Sequence, residues 1–147
     1  MKKLLLILLA FSLPLVLYGC SPSLSLDVDP DPIVFTYEDR TEDVEITITT
    51  SGFGRVSVDS IDAAVIDDED ETVYTEEIEV DESSFIVSGI SVSEEFTLDL
   101  EEILGDEFDE EIDEGTYQDE IKNSEYTLKI QLAGSVTTRV ETDILFE

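Results

Sequence analysis

The stretch "VEITITT", residues 44–50, alternates without a break: Val44, Ile46 and Ile48 fall on one side, Glu45, Thr47 and Thr49 on the other. Side chains of an extended chain point to opposite faces in turn, so the pattern predicts a strand with one buried and one wet face. The same period recurs. "RVSVDSIDAAVI" (55–66) carries it, with a phase slip between Asp59 and Asp62 that predicts a bulge or bend. "TVYTEEIEV" (72–80), "SFIVSGISV" (84–92) and "EFTLDL" (95–100) follow, the last with Phe96, Leu98 and Leu100 in phase. "EYTLKIQLAG" (125–134) sets Tyr126, Leu128, Ile130 and Leu132 inward, and a tight "AGS" turn leads into "SVTTRVETDILF" (135–146). "IVFTY" (33–37) is a shorter β-prone run. "SPSLSLDVDPDP" (21–32) reads as a tether running into a first edge strand, because its three prolines keep the backbone extended and withhold ladder donors.

Polar clusters at 38–43, 51–54 and 67–71 mark turns between these runs. One segment loses the period. In "EEILGDEFDEEIDEG" (101–115), Ile103, Leu104, Phe108 and Ile112 suit either a short helical turn or a packed crossover loop. About seven or eight short strands, roughly 8–12 residues apart, predict an all-β antiparallel sandwich. It fills one domain over residues 33–147, with the insertion near 101–115.

"NSEYTLKIQL" resembles the F strand of fibronectin type III and related immunoglobulin-like domains. There a tyrosine enters the strand after a turn and its hydroxyl bonds back to the turn backbone. The resemblance implies that role for Tyr126, with Asn123 and Ser124 as the turn. The insertion at 101–122 lies outside the fibronectin pattern, so the expectation is an immunoglobulin-like sandwich.

The N-terminus follows a different rule. Lys2 and Lys3 precede an uncharged apolar run of 15 residues, Leu4 to Tyr18, and Gly19 is the small residue before Cys20. That is the layout of a secretory signal peptide, and the run is short of the roughly 20 residues of a spanning helix. Leu17, Tyr18, Gly19 and Cys20 resemble the lipobox of bacterial lipoproteins. The resemblance implies cleavage between Gly19 and Cys20, diacylglyceryl attachment to the Cys20 sulfur and palmitate-type N-acylation. The expected plan is therefore signal peptide 1–19, lipidated Cys and tether 20–32, then the domain. The expected location is the cell envelope, anchored to the outer membrane if the organism is Gram-negative. Cys20 is the only cysteine, so an intramolecular disulfide is excluded.

Charge narrows the function classes. The 147 residues carry 38 acidic against 7 basic side chains, a net charge of −31, without histidine or tryptophan. Nucleic acid is excluded as a partner, because phosphate binding needs basic clusters. On composition alone an anionic membrane repels such a domain. The missing histidine removes the commonest general base and zinc ligand. A carboxylate pair suited to glycoside hydrolysis is inevitable among so many acids and carries no information. A Ser–Lys arrangement has only Lys122 and Lys129 to draw on. No enzyme is expected.

Three acidic runs are candidate cation sites. Asp27, Asp29, Asp31 and Glu38 fall at EF-hand positions 1, 3, 5 and 12. Pro32 occupies the place that needs glycine, which rejects the EF-hand and leaves a looser calcium site. "DDEDE" (67–71) offers Asp67, Asp68 and Asp70 in a hairpin turn. "GDEFDEEIDEG" (105–115), with seven acids in eleven residues, offers Asp106, Asp109 and Asp113. A solvated acidic loop is the plainer reading of each, and Ca²⁺ the alternative. The expected function is a structural or protein-interaction module that contacts the membrane through its lipid and meets another envelope protein. Calcium or cation binding is the alternative.

Overall fold

Most of the alternating runs become strand in the computed structural model of the chain, which describes residues 22–52, 54–78, 91–105 and 113–147 and the backbone of 85–87. In chain order the strands are β1 (Ser23–Asp29), β2 (Ile33–Phe35), β3 (Thr41–Ser51), β4 (Arg55–Ile66), β5 (Thr72–Ile78), β6 (Phe85–Val87), β7 (Ser91–Asp99), β8 (Tyr126–Gly134) and β9 (Thr138–Phe146). One sheet has the order β1-β3-β7, the other β2-β9-β8-β4-β5, and β6 also pairs with β4. Their facing sides bury one apolar core, so the fold is an all-β, two-sheet sandwich.

Each strand contributes its apolar face. Val44, Ile46 and Ile48 of β3 are buried, as are Leu128, Ile130 and Leu132 of β8. The phase slip in β4 is a bulge. The buried positions run Val56, Val58, then Ile61, Ala63 and Val65, and the pairing with β8 shifts between Val58 and Ser60. The extra residue restores the inward face after Asp59.

Four features differ from the sequence expectation. First, most of the stretch read as tether is sheet. β1 pairs with β3 from Ser23↔Ser51 to Asp29↔Glu45, because Leu24, Leu26 and Val28 alternate inward. Pro30 and Pro32 follow the strand and do not interrupt it. Second, the sandwich is not wholly antiparallel. β2 runs parallel to β9, Ile33↔Ile144 to Phe35↔Phe146, since the chain changes sheets after Asp29 without reversing direction. Third, 84–92 is not one strand. β6 pairs with β4, whereas β7 begins at Ser91 and pairs with β3 in the other sheet. Fourth, Leu100 starts a helix instead of ending a strand.

That helix, α1 (Leu100–Leu104), begins where the Asp99 side chain accepts the N–H of Glu101. A carboxylate at this position satisfies a donor the first turn leaves unpaired. Leu100, Ile103 and Leu104 turn to the core. Beyond it, α2 (Glu114–Thr116) runs into a wider turn, Tyr117–Ile121, in which the Lys122 N–H reaches the Tyr117 carbonyl at 2.9 Å. Ile103 and Leu104 thus do form a helical turn, while Phe108 and Ile112 lie outside the described residues. Tyr117 and Ile121 are buried, and the Tyr117 hydroxyl donates to the Phe35 carbonyl at 2.9 Å.

The strand directions give the sandwich two ends. Ser23, Ser51, Arg55, Ser91, Gly134 and Thr138 stand at the end nearest Cys20 in sequence. Asp29, Thr41, Ile66, Thr72, Asp99, Tyr126 and Phe146 stand at the far end, with every described helical turn. At the near end β8 approaches β4 so closely that a Cβ on Gly134 would lie 2.0 Å from the Ser57 carbonyl oxygen.

Candidate functional site

The far end collects the acidic loops, and its carboxylates fall into two kinds: those tied to the backbone and those facing water. Asp67 belongs to the first. Its Oδ1 accepts the N–H groups of Glu69 at 3.0 Å and Glu71 at 2.8 Å, while its own N–H donates to the Glu71 carbonyl. One carboxylate therefore closes the turn on itself. Asp70 takes φ +64° within it, a left-handed shape aspartate tolerates better than most residues. Asp68, Glu69, Asp70 and Glu71 face solvent.

Asp113 caps α2, its Oδ1 accepting the Thr116 N–H at 2.8 Å. Hydrogen bonds from Thr116 hold its carboxyl below the usual range. Asp27 and Asp29 point outward from β1, and the Asp31 carboxylate accepts the hydroxyl of the buried Thr142. Asp106 and Asp109, like Gly19 and Cys20, lie outside the described residues. Among the described residues no three acidic side chains converge on a point that could hold a metal ion. These far-end loops are dense in acids, but the described carboxylates are not aimed at one another.

Two features of this end were not read from the sequence. The first is an aromatic and cationic anchor beneath the insertion. The Tyr37 ring meets Tyr117 edge-on at 5.9 Å. Arg40 lies 5.1 Å from the Tyr37 ring centroid and pairs with Glu101 at 3.2 Å. Burial pushes the Tyr117 hydroxyl above its ordinary value, and the Arg40 charge pulls back only part of that. On β5 the Tyr74 hydroxyl, also raised by burial, donates to Glu76 at 2.8 Å. The spacing of Tyr117 and Ile121, four residues apart in a polar stretch, was the available signal for a buried helical face.

The second is an open depression of about 280 Å³ between the start of β8 and the end of β9, lined by Glu125, Tyr126, Thr127, Asp143, Ile144 and Leu145. Tyr126 is half-buried there, with its ring edge-on to Phe146 at 5.7 Å. Its polar groups are the carboxylates of Glu125 and Asp143 with Tyr126 and Thr127, and Thr127 stands across the β8–β9 pair from Asp143. Lys129 is 3.9 Å from Glu141 across the β8–β9 pair.

No protein-family model matches the chain, and no curated protein sequence matches it. Among solved structures it is similar to a Bordetella pertussis protein given the name ApaA. The identity is 10%, with 86% of this chain and 94% of that one covered and a TM-score of 0.45. It is similar also to a β-glucosidase from Listeria innocua, at 10% identity over 84% of this chain, with a TM-score of 0.44. A Bifidobacterium dentium β-glucuronidase matches at 10% identity and a TM-score of 0.37. The chain spans only 16% of the glucosidase and 18% of the glucuronidase. None of these likenesses says what this chain does.

Proposed function

We propose that the chain is a lipid-anchored cell-envelope protein without catalytic activity, whose immunoglobulin-like sandwich serves as a structural or protein-interaction module. The observation that carries this reading is the run Leu17-Tyr18-Gly19-Cys20 behind an uncharged apolar segment and two lysines. The strand order supports the immunoglobulin-like type. β1, β3 and β7 take the places of strands A, B and E; β4, β8 and β9 take those of C, F and G, and β5 adds an outer strand beside β4. In this reading acyl chains on Cys20 hold the domain at the membrane; among the described residues no helix is long and apolar enough to cross one.

A partner protein meets this domain at an exposed sheet edge, β5 or β7, or on the acidic far end. Edges offer free main-chain groups, and loops at one end of a sandwich offer a variable surface. A calcium-binding reading has no described convergence of carboxylates in its favour. The test is the mass of the mature N-terminus together with the fractionation of wild type and Cys20→Ser. Acyl mass on Cys20, with loss of that mass and release from the membrane in the variant, is the expected result. Membrane retention of Cys20→Ser, or an unmodified Cys20, overturns the reading.

A further inference from the structure

We propose that the open edge of β7 receives an extended segment of a partner protein as an added strand, and that this segment carries lysine or arginine on alternate residues. This assignment rests on the protein-interaction reading above and adds one edge and the chemistry of what joins it. β7 ends the sheet order β1-β3-β7, so among the described residues nothing pairs with its other side. It runs nine residues without proline, and its register against β3 holds from Thr49↔Ser91 to Thr41↔Asp99 without a bulge. Just beyond it, the Leu100 N–H donates to the Arg40 carbonyl at 2.9 Å. Main-chain groups of successive strand residues point to opposite sides. Leu98, Phe96, Glu94 and Val92 therefore bond to β3, while the N–H and C=O groups of Ser93, Glu95 and Thr97 aim at the open side. Side chains approach most closely at pairs that exchange no main-chain bonds. The contacts of Ser93 with Thr47 at 3.2 Å and of Thr97 with Asp43 at 2.7 Å fit that phase.

The other edges are less open. β5 is seven residues long and its register against β4 breaks between Val65 and Ile66. β2 has three residues, and β1 lies beside β9 and is followed by Pro30. Natural edges are commonly guarded by lysine, proline, bulges or charges on the core side. β7 has one such guard, the half-buried Glu94 opposite Ile46, and Glu95 follows it on the outward face. An acidic guard bars a second copy of the same strand and admits a cationic one.

The charge of the neighbouring strands selects the same partner. Asp29, Glu45 and Glu95 stand in one rank across β1, β3 and β7, on the outward face. Like charges directly opposite one another destabilise a sheet. β1, β3 and β7 contain no lysine or arginine, so nothing within the strands offsets that rank. A second copy of β7 would add carboxylates to it. A strand with a cation beside Glu95 completes it with the opposite sign. Main-chain bonds along the edge then supply affinity, and the alternate side chains supply selectivity.

The test titrates the full mature chain, in a neutral detergent, with a peptide of alternating lysine and valine that matches the nine residues of β7. Amide hydrogen exchange locates the contact. The expected result is saturable binding that slows exchange at Ser93, Glu95 and Thr97. Glu95→Lys should weaken it about tenfold or more, as should high salt. Thr97→Pro should abolish it, because the lost N–H faces the open edge and takes no part in the β3 ladder. A lysine–valine peptide with N-methyl groups on alternate residues keeps the charge and loses half its main-chain donors. It asks the same question of the unaltered chain if Thr97→Pro does not fold, and it should not bind. Absence of binding, equal binding of the N-methylated peptide, or protection confined to β5 or the far-end loops overturns the assignment. Protection of β7 that grows with concentration of the chain alone makes the occupant a second copy and overturns it too. Each of these leaves the envelope-module reading standing. The acyl mass on Cys20, taken from the same preparation, tests that reading separately.

Discussion

The two ends of the sandwich solve different problems with different chemistry. At the near end the strands are joined closely, the described side chains are mostly serine, threonine and glycine, and β8 meets β4 with no room for a Cβ at Gly134. At the far end the chain spends its length on helical turns and carboxylates. There it needs Tyr117, Ile121, Ile103 and Leu104 to tie those turns to the core. The difference shows how a chain of net charge −31 folds at all. Its acids stand in the far-end loops and on the outward faces of the strands, as at Asp62, Glu77 and Glu95, so mutual repulsion is spread over solvated positions and kept off the core.

The largest effect should come from the anchor of the far end. Tyr117 is fully buried, so Tyr117→Ala is expected to cost about 3–5 kcal/mol in chemical denaturation. Tyr117→Phe isolates the hydroxyl bond to Phe35 and is expected to cost about 1 kcal/mol. If the alanine variant cost less than about 1 kcal/mol, the insertion would be a passive loop and the contrast between the ends would lose its basis.

The near end should be next. Gly134→Ala forces its Cβ into the Ser57 carbonyl, with an expected cost of about 3 kcal/mol, the upper part of the overpacking range. Gly105, at the far end, has φ +62° and ψ −158°, with nothing within 4 Å of a built Cβ. Its alanine variant strains one backbone position and should cost about 1–2 kcal/mol. Equal costs in the same denaturation series would mean that the near end yields as readily as the far one.

How much of this was legible varies with the range of the signal. Strand faces and the β4 bulge could be read, because Val56, Val58 and Ile61 record the phase slip locally. The start of α1 left a trace too: Asp99 followed by Glu102 at the third helical position resembles a capping box, but Phe96-Leu98-Leu100 in phase hid it. The parallel pairing of β2 left none. Three residues near one terminus lie beside three near the other, and no local pattern encodes that. The acidic runs misled in a different way. Composition gives the density of carboxylates and not their direction, and Asp67 spends its oxygen on its own turn.

A smaller effect should appear in alkali, again at the far end. The hydroxyls of Tyr117 and Tyr74 titrate above the ordinary 10.0 in the folded chain. The stability they contribute is whole below pH 10 and is lost as pH rises, because the unfolded chain releases its protons first. Stability against denaturant should therefore fall above pH 10, and Tyr117→Phe should flatten that fall. An unchanged slope in the variant would remove Tyr117 from the account.

The smallest effect separates structure from ligand in the acidic turn. Asp67→Ala removes the acceptor of two backbone N–H groups and should lower stability by about 1 kcal/mol. Exposed Asp68→Ala should leave it nearly unchanged. Thermal melts in CaCl₂, MgCl₂ and NaCl at matched ionic strength then ask whether the turn does more than fold. Screening of a highly charged chain raises Tm alike in all three, for wild type and Asp67→Ala. A bound ion instead adds a saturable rise in calcium alone, about 2.7 kcal/mol at a hundredfold excess over Kd. If that rise occurred in wild type and vanished in Asp67→Ala, the turn would be a calcium site. The far end would then be a ligand surface as well as the solvated pole of the fold.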